Sequence, residues 1–362
     1  MLDPLSLHIP TSDTRPPAPV YPTRKLLQPS PDHPDDYVLE LDYSSVSKFI
    51  ECSRSAENYL VNSREADRNR SATDFGKLFH TLEELRLCAG GFSDALRQRQ
   101  HELIQEHFVK HPTPPGDHRT AQRMVQILKV YEERYAADGW PAALLEHEGE
   151  KMVERAFKVG LCSVPVDAHV PYNYQDITTQ TDRNEVTTSP HKGGFHIRNI
   201  HVFYTGRIDA VLHDSGHLWV VDHKTSSQGG REFEDAFRLS LQTRGYVWAA
   251  QKLLGLPLAG LIMNAVVVKK PTLKVENNTE LNRHPYFYTP DSLVEFEDNM
   301  RAHVSDFISM LVRGYFPQTA RSFKSPCAMC DYTENCSLPR HQRPADLASP
   351  LYRDVTWNPV HE

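Results

Sequence analysis

From Ser44 to Leu60 the chain reads SSVSKFIECSRSAENYL, with apolar residues at Val46, Phe49 and Ile50 behind a serine-rich start. Apolar positions three and four apart predict a helix with one buried stripe, and serine suits its N-cap. Asp74 to Leu87 repeats the pattern through Phe75, Leu78, Phe79, Leu82 and Leu85, and a third helix is predicted over about Thr120 to Ala137, before DGWP. MVERAFKVGL reads as a strand, and FYTGRIDAVL and HLWVVDHKT read as two more strands joined by a short turn at HDSGH. A long amphipathic helix is predicted from about Phe233 to Leu254, then an apolar strand at LIMNAVVV and a helix from about Asp291 to Arg313. This order predicts an α/β core with a mixed sheet. Three stretches fall outside the pattern: a proline-rich arm (1–36, nine of the 26 prolines), a polar loop or insertion (163–199) and a tail (341–362), leaving 37–340 as the domain.

Composition adds exclusions. A 39% hydrophobic, 24% charged chain of 362 residues has enough apolar content for a large core. Its apolar runs fall short of the ~20 residues that span a bilayer. The start has no basic stretch followed by an apolar core, which predicts a soluble, cytoplasmic protein. A net charge of −7 is the wrong sign for coating nucleic acid non-specifically, so any such contact must be local. Six cysteines in such a chain point to a metal site or redox chemistry before a disulfide framework.

The chemistry concentrates in GRIDAVLHDSGHLWVVDHKT, Gly206 to Thr225. Centring the turn on Ser215 and Gly216 pairs Asp214 with His217 and, five steps on, Asp209 with Asp222, about 4.5–5.5 Å apart at Cβ. Lys224 then shares the face of Asp222 by the strand period of two. Two such carboxylates repel, and a hard divalent cation, Mg²⁺ or Mn²⁺, would resolve the conflict. The lysine could then position or deprotonate a water, or stabilise developing charge. The competing reading is a surface hairpin with solvated charges, and a one-residue slip of register would part Asp209 from the other two.

These residues resemble the PD-(D/E)XK nuclease superfamily, in particular its RecB-like exonuclease branch, with G-x-I-D at Gly206–Asp209 and D-x-K-T at Asp222–Thr225. The branch also carries G-x-x-x-H on an early helix, matched by Gly76 and His80, and Q-x-x-x-Y after the lysine strand, matched by Gln242 and Tyr246. The resemblance implies a restriction-endonuclease-like core, a central mixed sheet flanked by helices. It implies a metal held by His80, Asp209, Asp222 and the main-chain carbonyl of His223, with Lys224 assisting the attacking water and Gln242 and Tyr246 orienting the lysine or contacting the substrate. It implies a metal-dependent deoxyribonuclease acting as an exonuclease on single strands or ends, with a helicase or recombinase as a conceivable partner. A non-cleaving binding module of the same fold is the alternative.

CAMCDYTENC brings Cys327, Cys330 and Cys336 close enough in sequence for three thiolates to share one centre, zinc or iron-sulfur, and nearby His341 could be a fourth ligand. The resemblance instead offers Cys52, as in AddB and in CRISPR-associated or viral exonucleases, and implies a 4Fe-4S cluster joining the N- and C-terminal parts. Ser53 stands where that family usually has proline after the first cysteine. Cys88 and Cys162 read as small packed residues.

Overall fold

The computed structural model describes residues 26–67, 70–171, 194–272, 278–319 and 326–355. A seven-stranded sheet organises them: β1 (Leu27–Pro29), β2 (Asp36–Leu41), β3 (Val153–Pro171), β4 (Gly194–Asp214), β5 (His217–Ser226), β6 (Gly260–Val268) and β7 (Thr279–Phe287). The order is β1-β2-β4-β5-β6-β7, with β3 also on β4. Only β2–β4 and β5–β6 are parallel, so the sheet is mixed, as the element order predicts.

Every residue of β6, GLIMNAVVV, is buried, as befits a strand covered on both faces. Its Leu261, Met263 and Ala265 join the main core with α6 (Leu241–Leu254) and α7 (Pro290–Arg313), while Val266 and Val268 face α2 (Ser71–Cys88), α3 (Asp94–Lys110) and α4 (Ala121–Tyr135). Along α7 the buried residues recur at Leu293, Phe296, Met300, Val304, Phe307 and Leu311, the spacing of one helical stripe. The sheet is thus flanked by helices on both sides.

Several boundaries differ from the sequence pattern. The first 25 residues of the expected arm lie outside the described residues, but Leu26 and Leu27 are buried and β1 pairs with Tyr37–Leu39. Of the expected 163–199 loop, residues 172–193 lie outside the described residues, while 163–171 and 194–199 are strand, part of a β3–β4 ladder that runs from Val153↔Ala210 to Pro171↔Gly194. Shifts between Gly160 and Cys162 and between Pro165 and Ala168 break its alternation, which hid it. The expected tail contributes a short helix at Arg343–Leu347 and a strand, Tyr352–Asp354, that pairs with Arg64–Ala66. The helix expected over 233–254 is two, α5 (Arg231–Arg238) and α6, because Ser240 caps the second by accepting from Gln242 N–H at 3.1 Å. The opening helix stops at Glu51, the end of α1 (Tyr43–Glu51), where Cys52 is extended. The sequence pattern missed α3, which buries only Leu96, Gln100 and Ile104, and β7, which buries only Tyr286.

Candidate active site

The turn between β4 and β5 is the expected one: Ser215 and Gly216 have φ of 51° and 80°, the left-handed pair of a tight hairpin. The ladder runs from Asp214↔His217 to Ala210↔Val221 and ends one step before Asp209 and Asp222. There the strands part, β5 continuing beside β6 to Ser226 and β4 pairing further back with β2. Parting strands leave backbone donors free. Asp209 fills one such place, its Oδ2 accepting the His223 N–H at 2.6 Å. The Nζ of Lys224 donates to Asp222 Oδ1 at 3.1 Å. Both acids are buried, Asp222 at 1% exposure.

His80 arrives from α2. A Cβ on Gly76 would lie 2.9 Å from Thr225 Oγ1, so only glycine lets this helix pack so closely on β5. One turn later His80 Nδ1 stands 3.3 Å from Asp209 Oδ2. A residue the sequence pattern did not single out completes the group. Glu154 of β3, at a left-handed φ of 46°, is flanked by the pairs Val153↔Ala210 and Arg155↔Ile208, which places it opposite Asp209. Ligand atoms of His80, Glu154 and Asp209 all lie within 4.8 Å of one another. The signal for Glu154 was the β3–β4 register, which sequence alone did not reveal.

Charge is crowded here. Burial, reinforced by Asp209, pushes Glu154 up to about 7. Burial likewise raises Asp222, with Asp209 adding to it against Lys224. For His80 burial works downward, but the Asp209 carboxylate outweighs it and lifts the imidazole to about 9. The same contact holds Asp209 well below the usual carboxylate range against its own burial. Burial opposes the charge of Lys224, and Asp222 and Asp209 more than restore it. Asp222 Oδ2 is buried and has no hydrogen-bond partner among the described residues. Three clustered carboxylates, one with an unsatisfied buried oxygen, suit a hard divalent cation.

Gln242 and Tyr246 lie one turn apart on α6, and Gln242 Nε2 donates to the Tyr246 hydroxyl at 3.3 Å. Tyr246 packs edge-on against Phe157 at 6.3 Å beside Gly206, where a Cβ would meet the Phe157 ring at 2.8 Å. Burial and the nearby Asp222 and Asp209 charges keep its phenol protonated.

A family model of the PD-(D/E)XK nuclease superfamily matches residues 40–337. The chain belongs to this superfamily. Among solved structures, a presumed exonuclease from Eubacterium rectale is similar at 12% identity over 80% of this chain and 87% of its own, with a TM-score of 0.42. A protein named SSO0001 is similar at 10% identity over 82% and 86%, with a TM-score of 0.31. No curated protein matches the chain. Membership makes this a nuclease, a phosphodiester hydrolase with a nucleic-acid substrate, and members of the superfamily typically use Mg²⁺ or Mn²⁺. None of the described helices is long and apolar enough to cross a membrane.

A second constellation in this superfamily member lies where Cys52–Ala66 meets the segment from Cys327 to Asp354. None of the six cysteines, all of them among the described residues, is in a disulfide. Burial raises the thiols of Cys330 and Cys336, and each is raised further by Cys52, so these three lie within electrostatic reach of one another. Tyr332 N–H points at Cys330 Sγ at 3.5 Å, and the Thr333 hydroxyl donates to the Cys327 carbonyl. Tyr332 also stacks on Tyr352 at 5.9 Å and donates to the Arg64 carbonyl at 2.6 Å. Cys88 is exposed and Cys162 half-buried.

Proposed function

We propose that the protein is a metal-dependent deoxyribonuclease that acts as an exonuclease on single strands or DNA ends. The observation that carries the metal dependence is the convergence of His80, Glu154 and Asp209 around one point, beside a buried Asp222 oxygen without a partner among the described residues. His80, Asp209, Asp222 and the His223 carbonyl would hold Mg²⁺ or Mn²⁺, with Glu154 as an added ligand. Bound there, the cation would polarise the phosphate and lower the pKa of a water. Lys224, held charged against Asp222, stabilises negative charge as the phosphodiester is attacked and orients the incoming water. The Asp209–His223 N–H bond fixes the backbone whose carbonyl would serve as a ligand. Gln242 and Tyr246, joined by their hydrogen bond and near enough for the Asp222 charge to act on the phenol, would limit where a substrate can lie. The preference for DNA, single strands and ends rests on the RecB-like motifs at Gly76–His80 and Gln242–Tyr246.

The same reading gives Cys52, Cys327, Cys330 and Cys336 a 4Fe-4S cluster, supported by three of these thiols sharing one neighbourhood. Iron and acid-labile sulfide in anaerobically purified protein are expected; zinc alone would exclude the cluster. For the nuclease, end-labelled single and double strands are digested with Mg²⁺ or Mn²⁺. Asp222→Ala and Lys224→Ala are expected to lose at least about a hundredfold in rate. Variants that cleave as fast as the parent would refute the assignment.

A further inference from the structure

The sheet face beside the catalytic centre has a use that the acids and the lysine do not exhaust. On β4, Ile200, Val202, Tyr204 and Ile208 point into the main core, so His201, Phe203, Thr205 and Arg207 line the opposite face. The β3 ladder sets Ala156 beside Arg207, Lys158 beside Thr205 and Gly160 beside Phe203. Of these, Lys158 and Gly160 are exposed and His201, Phe203, Arg207 and Ala156 half-exposed. This strip of the face has small residues at 156 and 160 and aromatic rings at 201 and 203, with Thr205 between them buried. Its inner end is the site itself, since Glu154 and Asp209 are the next residues on this side.

Arg207 is the cation nearest that end. Its Nη1 is 3.7 Å from Glu154 Oε2, an ion pair beyond good hydrogen-bond length, and its Nε is buried without a partner among the described residues. Lys158 differs, because it pairs with Glu40 and lies 4.7 Å over the Phe203 ring. A planar fork of donors without a firm partner, beside a phosphodiester-cleaving centre, matches a phosphate oxygen pair. Two residues of strand put Arg207 about 7 Å from Asp209, and six put Phe203 about 20 Å away. This is the reach of several nucleotides, with a charge near the cut and a ring farther out on which a base can stack. On a chain of net charge −7, such a local contact is the form that nucleic-acid binding has to take.

We infer that this face is the track of a single-stranded DNA substrate, with Arg207 binding a phosphate next to the scissile one. The inference rests on the nuclease reading above and deepens it. It is tested in an Asp222→Asn background, so that binding is read without cleavage, by anisotropy of a labelled oligothymidine over a series of salt concentrations. Arg207→Gln is expected to weaken binding about tenfold and to lower the slope of log affinity against log salt by about 0.7, one single-strand phosphate contact. Arg207→Lys is expected to keep the slope and lose part of the affinity, and it serves as the test if the glutamine variant does not fold. Phe203→Ala is expected to weaken binding at constant slope. The exposed Arg134, on α4, is the control: Arg134→Gln is expected to change neither quantity.

Unchanged affinity and slope in Arg207→Gln would overturn the inference, as would an equal effect of Arg134→Gln. If Arg207 only holds Glu154 in place, Mn²⁺ affinity will fall in Arg207→Gln while the salt slope stays, and that result also overturns it. The nuclease reading fails separately, when Asp222→Asn cleaves as the parent does.

Discussion

Gly76 shows how much of this site depends on one missing carbon. Thr225 Oγ1 is only 2.9 Å from where a methyl group at position 76 would sit, so Gly76→Ala must displace either the Thr225 side chain or α2, and movement of α2 would carry His80 off Asp209. Activity is expected to fall, with a stability loss of about 1–3 kcal/mol from overpacking. Thr225→Ala in the same chain removes the clashing oxygen and should restore much of both, a coupling that a double-mutant cycle reads directly. Protons are the second lever at this scale. His80 near 9 and Glu154 near 7 hold protons at neutral pH that a cation must displace. Mn²⁺ affinity, measured by calorimetry in buffers of different ionisation enthalpy, should therefore rise from pH 7 to 9 with release of protons. Glu154→Gln should reduce both the affinity and the protons released. Affinity independent of pH would show that these two groups do not meet the ion.

Elements are held around the site by buried charge. Arg86 and Glu83 of α2 are fully buried and bonded to each other, and Arg86 also donates to Asp138 at 3.1 Å. Arg283 of β7 joins Asp138 at 2.7 Å and lies between the rings of Tyr135 and Trp140. Tyr131 of α4 accepts from Arg283, at 3.3 Å, and from Asn264 of β6, at 2.8 Å; Asn264 donates in turn to His223 Nδ1. Four elements are thus tied to the residue between Asp222 and Lys224. Arg86→Met leaves Glu83 buried without its cation and should cost about 3–5 kcal/mol in denaturant unfolding. At the other side of the sheet, Asp36 of β2 is held well below the usual carboxylate range by its hydrogen bond from Arg198, with Asn199 and His201 helping against burial. A depressed folded pKa contributes stability above about pH 4, lost as pH falls. Asp36→Asn should flatten the acid-side fall in melting temperature between about pH 5 and 3.

These networks explain what the sequence showed and what it hid. Helices with a regular stripe, α2 and α7, and the uniformly apolar β6 were legible because one buried face dictates residue type. The Asp209–Asp222 register was legible because a two-residue turn sets it. Glu154, α3 and β7 were not. Glu154 owes its place to a partner strand some fifty residues away, and α3 and β7 bury too little to imprint a period. The strand residues at 163–171 were not legible because the register shift between Pro165 and Ala168 erases the alternation that marks a strand.

For the molecule as a whole, the first and last described parts are neighbours. Arg64–Ala66 pairs with Tyr352–Asp354, Tyr332 reaches the Arg64 carbonyl, and Cys52 shares a neighbourhood with Cys330 and Cys336. A link there closes a very long loop, so its loss is expected to act on the entire fold. Cys52→Ser should lower the melting temperature and expose both chain ends to protease while leaving α6 and β6 protected from hydrogen exchange. Equal protection everywhere would show that the ends are held by packing alone.

That closure also sets a timetable. A ribosome delivers Cys52 early and Cys336 only 284 residues later, roughly 15–60 s of synthesis at ordinary elongation rates. Late in that interval the acids, His80 and Lys224 have already emerged, but Cys327, Cys330 and Cys336 and the strand that pairs with Arg64–Ala66 have not. A nascent chain therefore carries its cutting residues before it carries its clasp, and a stop just before Cys327 leaves a fragment with every acid and no way to close.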